Sequence, residues 1–378
     1  MKHFFYIMLV SLCLLLFCKS TIEKSAGEGN PVGMYLIDSV QMPTLDSMAY
    51  LPTYVDRDYY YAIDAKKRTL LKFDRQGNLV SQMNRFGTGP EEYAQVIGFY
   101  PVKADVVTVM TPQNLKTYDW RGNLLSQQIL TERLIFQSAG TRASGDGNHL
   151  YTLAFDPTLS AEKMEFFEKS CNIASINIHT GKVNKVGYYF NGSVYRQYRF
   201  PTLLDPIFDV HKNDLYSLLP LDQTIFKVNL STQVVKMINL DYTHFSKLYH
   251  KDSEAIQDQL MILQKNAKNG AIKVSNKYII TEYDEAIPDD YIKTDIFQLN
   301  NSTYRAKRYW NIFSPLSGVK MNDQDILAPG NHYNFLGFTN DSTLYIQGSV
   351  PNDENEIQPY DVYVYKYIIS TAKPKSAN

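Results

Sequence analysis

The chain has 378 residues, 44% hydrophobic and 20% charged, with a formal net charge of −1. That balance belongs to a globular chain and excludes one that is disordered or membrane-spanning throughout. Lys and Arg are scattered among the acids, which excludes a nucleic-acid groove, because such a groove concentrates basic charge on one face.

At the N-terminus, Lys2 and His3 precede a nearly continuous apolar run over residues 4–18. This run is shorter than the roughly 20 residues a spanning helix needs, so it reads as a secretory signal peptide over residues 1–18. Its end, Leu15-Leu16-Phe17-Cys18, resembles the lipobox of bacterial lipoproteins, although Phe17 is larger than the small residue usual before the Cys. The resemblance implies that Cys18 becomes the new N-terminus and carries a lipid, the chain's only membrane contact. The alternative is an incidental Cys18 and cleavage further downstream. Residues 19–34 are rich in Ser, Glu, Lys, Gly and Asn and read as a flexible tether.

Beyond the tether, two patterns alternate. A polar turn followed by an apolar strand occurs six times, at residues 56–63, 103–109, 147–153, 212–218, 275–280 and 340–346. Between them lies a strand, a polar turn and a second strand, clearest at 71–79 (Phe73-Asp74-Arg75-Gln76-Gly77-Asn78) and 116–124. Weaker copies stand at 174–183, 225–234 and 296–304, and the last, at 362–368, keeps only its first strand. Period-2 alternation around a Gly or Asn turn marks a hairpin. In the Asp-x-x-Gly turn the Gly supplies a left-handed φ and the Asp caps the turn. Each unit is therefore an antiparallel meander of about four strands.

Counted from Asp58, Asp105, Asn148, Asp214, Asn276 and Asp341, the repeat steps are 47, 43, 66, 62 and 65 residues. A sheet that small cannot bury both faces alone, and stacking six around an axis solves the problem. The chain is thus expected to be all-β, a single six-bladed β-propeller over residues 35–372, followed by a disordered tail at 373–378. Residues 35–40 are expected to complete the truncated last blade. One long step holds an apolar stripe (Phe245, Leu248, Ile256, Leu260, Leu263) at helical spacing, which predicts a helical insertion near 244–268 packed on the ring. Residues 284–295 read as an exposed acidic loop.

Phe86-Gly87-Thr88-Gly89-Pro90-Glu91-Glu92-Tyr93, with the Asp-Arg-Gln-Gly-Asn turn before it, resembles the six-bladed propeller lipoproteins of Bacteroides and relatives. It is also similar to the Gly-rich inter-blade segment of NHL-repeat propellers. The resemblance implies an exported protein of a Gram-negative envelope, an outer-membrane or periplasmic lipoprotein, and it transfers no catalytic residue. On the residues themselves, 87–93 is a turn, with Glu91, Glu92 and Tyr93 as candidate ligand contacts on the propeller's face.

Of the three Cys, Cys13 lies in the signal segment and Cys171 falls in an alternating strand, where a buried, inert thiol is expected. The sequence lacks the H-E-x-x-H, P-loop, G-x-S-x-G and Rossmann motifs. Among seven isolated His residues, His149 and His179 sit in turns. His332, beside Tyr333 and ahead of an inner strand, is the candidate ligand contact. Asp323 and Asp325 with Asn322 are weak metal candidates, lacking the Gly and distant Glu of an EF-hand. No cofactor is expected, with Ca²⁺ left open there. The many tyrosines, 29 in all, are expected to serve mainly the sheet core, including 59–61 and 360–367.

These readings predict a monomeric, non-enzymatic binding or scaffold propeller at the envelope, recognising a glycan, a peptide or a protein partner. The alternative is a metal-dependent hydrolase or lyase, lactonase-like, centred on the channel.

Overall fold

Every one of the six polar turns leads into the second rank of an antiparallel blade, four-stranded in all but the third. The computed structural model describes residues 31–43, 50–64, 66–136, 144–198, 205–246, 248–250, 256–292, 306–330, 332–351 and 360–374. Strand β1 (Gly33–Gln41) comes first but belongs to the last sheet. The first blade is β2 (Tyr50–Val55), β3 (Tyr59–Asp64), β4 (Thr69–Asp74) and β5 (Leu79–Met83). The second is β6 (Gly98–Lys103), β7 (Val106–Met110), β8 (Asn114–Asp119) and β9 (Leu124–Ile129).

In the third, two short inner strands, β10 (Ile135–Phe136) and β11 (Ser144–Gly145), both pair with β12 (His149–Phe155), followed by β13 (Cys171–Asn177) and β14 (Val183–Tyr188). The fourth is β15 (Ile207–His211), β16 (Asp214–Leu218), β17 (Thr224–Asn229) and β18 (Val235–Asn239). The fifth is β19 (Lys268–Val274), β20 (Ile279–Asp284), β21 (Arg308–Phe313) and β22 (Ile326–Leu327). The sixth joins β23 (His332–Asn340), β24 (Thr343–Pro351) and β25 (Tyr360–Ser370) to β1.

The ring closes as the repeat predicts. β1 pairs antiparallel with β25, from Gly33 opposite Ser370 to Gln41 opposite Tyr363. Residues 33 and 34, assigned above to the tether, are already part of that strand. Closure is reinforced where blade one meets blade six. The Arg75 guanidinium lies 4.6 Å from the Tyr60 ring centre and 4.4 Å from that of Tyr345. Its Nε donates to the Arg57 carbonyl at 3.1 Å, and Nη2 donates to that of Asp56. A cation between two ring faces gains from both quadrupoles, and here the two rings belong to different blades. Gly77 (φ +87°) permits this turn to approach β1, since a Cβ there would stand 2.9 Å from the Gln41 carbonyl oxygen.

The core is a ring of inter-blade clusters rather than one centre. Tyr60, Phe73, Leu336 and Tyr345 fill the junction of blades six and one. Tyr61, Phe99, Tyr118 and Trp120 fill that of one and two. Each fully buried large apolar side chain contributes about 1.5–3 kcal/mol, so each junction depends on both its blades. Cys171 is free and buried at 1% exposure, and burial pushes its thiol up to about 11, the inert state expected.

The turns work as their composition implies. Asp74 Oδ1 accepts from the Gln76 and Asn78 amides at 3.0 and 2.8 Å, and Asp119 repeats this with Arg121 and Asn123. Asp56 and Asp146 cap the turns before β3 and β12 in the same way.

Two expectations need revision. Among the described residues of the expected insertion the helix is Ile256–Lys265; those of 244–250 are not helical, and by Lys268 the chain is already in β19. The stretch before the helix is instead pinned to its far end, where the Asn266 side chain bonds the Tyr249 amide and carbonyl at 2.8 and 2.9 Å. Ile262 is the side chain driven inward, joining Phe155, Phe167, Tyr189 and Tyr195 beside a second, unforeseen helix at Met164–Lys169. The repeat copy at 296–304 lies outside the described residues, and the third strand of blade five is β21. The acidic loop after β20 is exposed at Pro288, Asp289, Asp290 and Tyr291. Among the described residues no helix is long and apolar enough to cross a membrane.

Two buried acids make the fold pH-dependent: burial raises Asp222 to about 6 against the bonds it accepts from Ser193 and Val194, and it raises Glu282 further. Glu282 accepts from Trp310 Nε1 at 2.9 Å and faces Arg308 Nε at 3.5 Å. Burial raises its carboxyl to about 7 despite the opposing pull of Arg308 and Trp310. A folded-state value above the unfolded one means the native state binds more protons between pH 4.5 and 7. Glu282's contribution to stability is thus full below that window and lost through it. Denaturant unfolding should show a decline in stability across these pH values that is shallower in Glu282→Gln, which still accepts from Trp310, the remainder belonging to Asp222; an identical decline in the variant would leave Glu282 no part in it.

Candidate functional site

In every blade the first-to-second strand turn, and in blades one to five the turn after the third strand, falls at one end of the ring, and the longer links between blades fall at the other. At the short-turn end the inner strands enclose a cavity of about 350 Å³. Its wall is drawn from five blades: Tyr54 and Val55 of β2, Tyr100 and Pro101 of β6, Asp209 to His211 of β15, Lys273 and Val274 of β19, and Leu336 to Asn340 of β23. A volume at the low end of the ~300–1,000 Å³ usual for ligand sites suits one small group.

The polar side is built by the ends of β15 and β19. Asp209, 7% exposed, accepts from the Val274 amide at Oδ2 (2.9 Å), which fixes its carboxylate. Its Oδ1 faces Lys273 Nζ at 3.4 Å, with the lysine side chain 17% exposed. Next to them His211 Nε2 meets Asn276 Oδ1 at 3.1 Å, and Asn276 Nδ2 donates to Asp341 Oδ1 at 2.7 Å. Ser275 Oγ donates to the Asp341 carbonyl at 2.9 Å, tying blade five to blade six.

Across the mouth, the rings of Tyr54 and Tyr100 meet edge to face at 5.8 Å. Burial, then the neighbouring Tyr100 and Asp209, push the Tyr54 hydroxyl well above its ordinary value. Burial and Asp146 do the same for Tyr100. Both remain protonated donors. Asp56 is committed to the turn, accepting from the Asp58 and Tyr59 amides and the Tyr61 hydroxyl.

The residues singled out from sequence stand elsewhere. Glu91, Glu92 and Tyr93 lie between β5 and β6, at the opposite end of the ring, where they build a turn. Tyr93 is buried; its hydroxyl donates to the Arg68 carbonyl at 3.1 Å, and its backbone bonds Arg85 and Gly87. Glu92 Oε2 accepts from the Gly89 amide at 2.8 Å, while the Pro90 and Glu92 carbonyls accept from Lys116 Nζ and that of Glu91 from the Tyr118 hydroxyl. Glu91 is the exposed one of the three. His332 and Tyr333 open β23, also at the far end, and their side chains lie outside the described residues, as does Cys18.

The acidic stretch near residue 323 is consumed by structure. Asp325 accepts from Lys320, the Tyr283 hydroxyl, and the Thr243 amide and hydroxyl at 3.0 and 3.1 Å, joining blade five to the link from blade four. Burial works against its ionisation, but the bonds from Lys320, Tyr283 and Thr243 outweigh this and hold its carboxyl low. Asn322 Oδ1 accepts from the Ile312 amide at 2.8 Å, and Asp323 is exposed. Among the described residues no three His, Cys, Asp or Glu side chains are grouped to hold a metal ion.

Known proteins bear on the architecture. No protein of curated function matches the sequence. A protein of the DUF4221 family from Bacteroides vulgatus superposes with a TM-score of 0.70 at 12% identity, covering 91% of this chain and all of that one. A protein from Bacteroides fragilis described as exported superposes with a TM-score of 0.53 at 12% identity, covering 89% of this chain and 95% of that one. At such identities the likeness concerns fold alone. Residues 51–293 match the family described as a 6-bladed beta-propeller, DUF5128. With six blades counted and most of its length matched, the chain belongs to the DUF5128 family of six-bladed β-propellers.

Proposed function

We propose that this propeller is exported, is held at the cell envelope by a lipid on Cys18, and acts as a non-enzymatic receptor for a small ligand. The observation that carries the reading is the short-turn cavity, where inner strands from four blades bring Tyr54, Tyr100, Asp209, His211 and Lys273 to one concave place. Propellers supply rigid walls there, so a ligand loses little to reorganisation of its site. The apolar leader ending at Cys18 supports export, and the Bacteroides fragilis protein described as exported shares the fold.

The two halves of the proposal are tested separately. Fatty-acid labelling should mark the protein and be lost in Cys18→Ala; label retained in that variant would remove the lipid on Cys18 from the account. For the site, thermal unfolding against a panel of glycans and short peptides should reveal a ligand. At a hundred times its Kd such a ligand stabilises by about 2.7 kcal/mol. The rise in midpoint should disappear in Lys273→Met; a rise that survives this change would place the site elsewhere.

A further inference from the structure

Within the cavity the pairing of Lys273 with Asp209 is unusual. Charge-assisted N–H···O bonds settle at about 2.7–2.9 Å, yet these groups stand 3.4 Å apart although both side chains are largely buried. Asp209 is held back by the Val274 amide, so the gap is built in by β19. The Lys273 ammonium carries three donors and has this one carboxylate as its partner among the described residues.

We propose, resting on the reading of the cavity as a ligand site, that it takes a neutral saccharide ring, with one hydroxyl seated between Lys273 and Asp209. A hydroxyl accepts from the ammonium and donates to the carboxylate at the same time. A ligand carboxylate only accepts and would face Asp209 and Asp341. A ligand ammonium only donates, so it would serve the carboxylates but leave the Lys273 donors unmet. The remaining wall suits the same class. Asp341 binds Asn276 through Oδ1, which leaves Oδ2 to receive a second hydroxyl. Tyr54 and Tyr100 offer an aromatic wall to the apolar C–H face of a sugar.

Three probes built on one ring separate the alternatives: glucose, glucosamine and glucuronate, with galactose and mannose as further neutral hexoses. Saturation-transfer NMR on the full chain in detergent should show transfer to at least one neutral hexose. Binding of its charged counterparts should be about tenfold weaker. The signal should vanish in Lys273→Met and fall in His211→Ala, a more exposed position at which folding is less at risk. Preferential binding of glucosamine or glucuronate, lost in the same variants, would overturn the saccharide class and leave the site standing. Transfer to none of the sugars would also overturn the class. Transfer that persists in both variants would overturn the site itself.

Discussion

A four-stranded meander has two faces to bury and too little sheet to bury them with, so each blade needs a neighbour on either side. That need holds the molecule together and makes closure of the ring the step on which the rest depends. The last blade has three strands from the C-terminal end of the chain, and β1 supplies the fourth from the N-terminal end, across eight register pairs. Arg75 reinforces the same junction by reaching from blade one to Tyr345 of blade six. An open ring would expose the Tyr60, Phe73, Leu336 and Tyr345 cluster to water and loosen the inner strands at its edge.

The cavity inherits its rigidity from this closure. None of its polar groups is placed by a long loop. Asp209 and Lys273 stand near the ends of inner strands of adjacent blades, and the Val274 amide of one strand fixes the Asp209 carboxylate of the other. Tyr54 stands on β2, next to the closing junction, and Gly337 on β23 on the junction's other side. The mouth is therefore shared across the closing blades, and its geometry depends on their register. The other end of the ring carries the longer links, and there Glu92 closes a turn and Asp325 binds four donors.

The repeat was legible because its signals are local. Polar turns before second strands, and Asp-x-x-Gly turns before fourth strands, depend on residues a few positions apart, and all six blades follow from them. The truncated copy at 362–368 with its complement at 35–40 even predicted how the ring closes. Blade five was harder to read, since β21 begins only at Arg308, well after the weak copy at 296–304, and its turn is closed by Ser314 and Gly318 rather than by an Asp-x-x-Gly. The cavity was not legible as a site. Tyr54, Tyr100, Asp209 and Lys273 look like ordinary strand residues, and only the radial arrangement brings them together. A weak signal exists in hindsight: each stands three to five positions before the reference residue of a polar turn, which is where an inner strand meets the channel mouth. Motif spotting favoured Glu91, Asp325 and His332 because clustered polar residues attract attention, whereas at 92–93 and 325 the structure spends such residues on turns and blade contacts.

Closure by β1 is most directly tested by native-state hydrogen exchange, read strand by strand. The amides of Gly33–Gln41 that bond β25 should exchange only through the same opening as those of β24 and β25, with equal free energy and equal denaturant dependence. Exchange of the β1 amides at low free energy, while the three other strands of the sixth blade stay protected, would contradict the account: β1 would then be an attached edge, and the ring would hold without it.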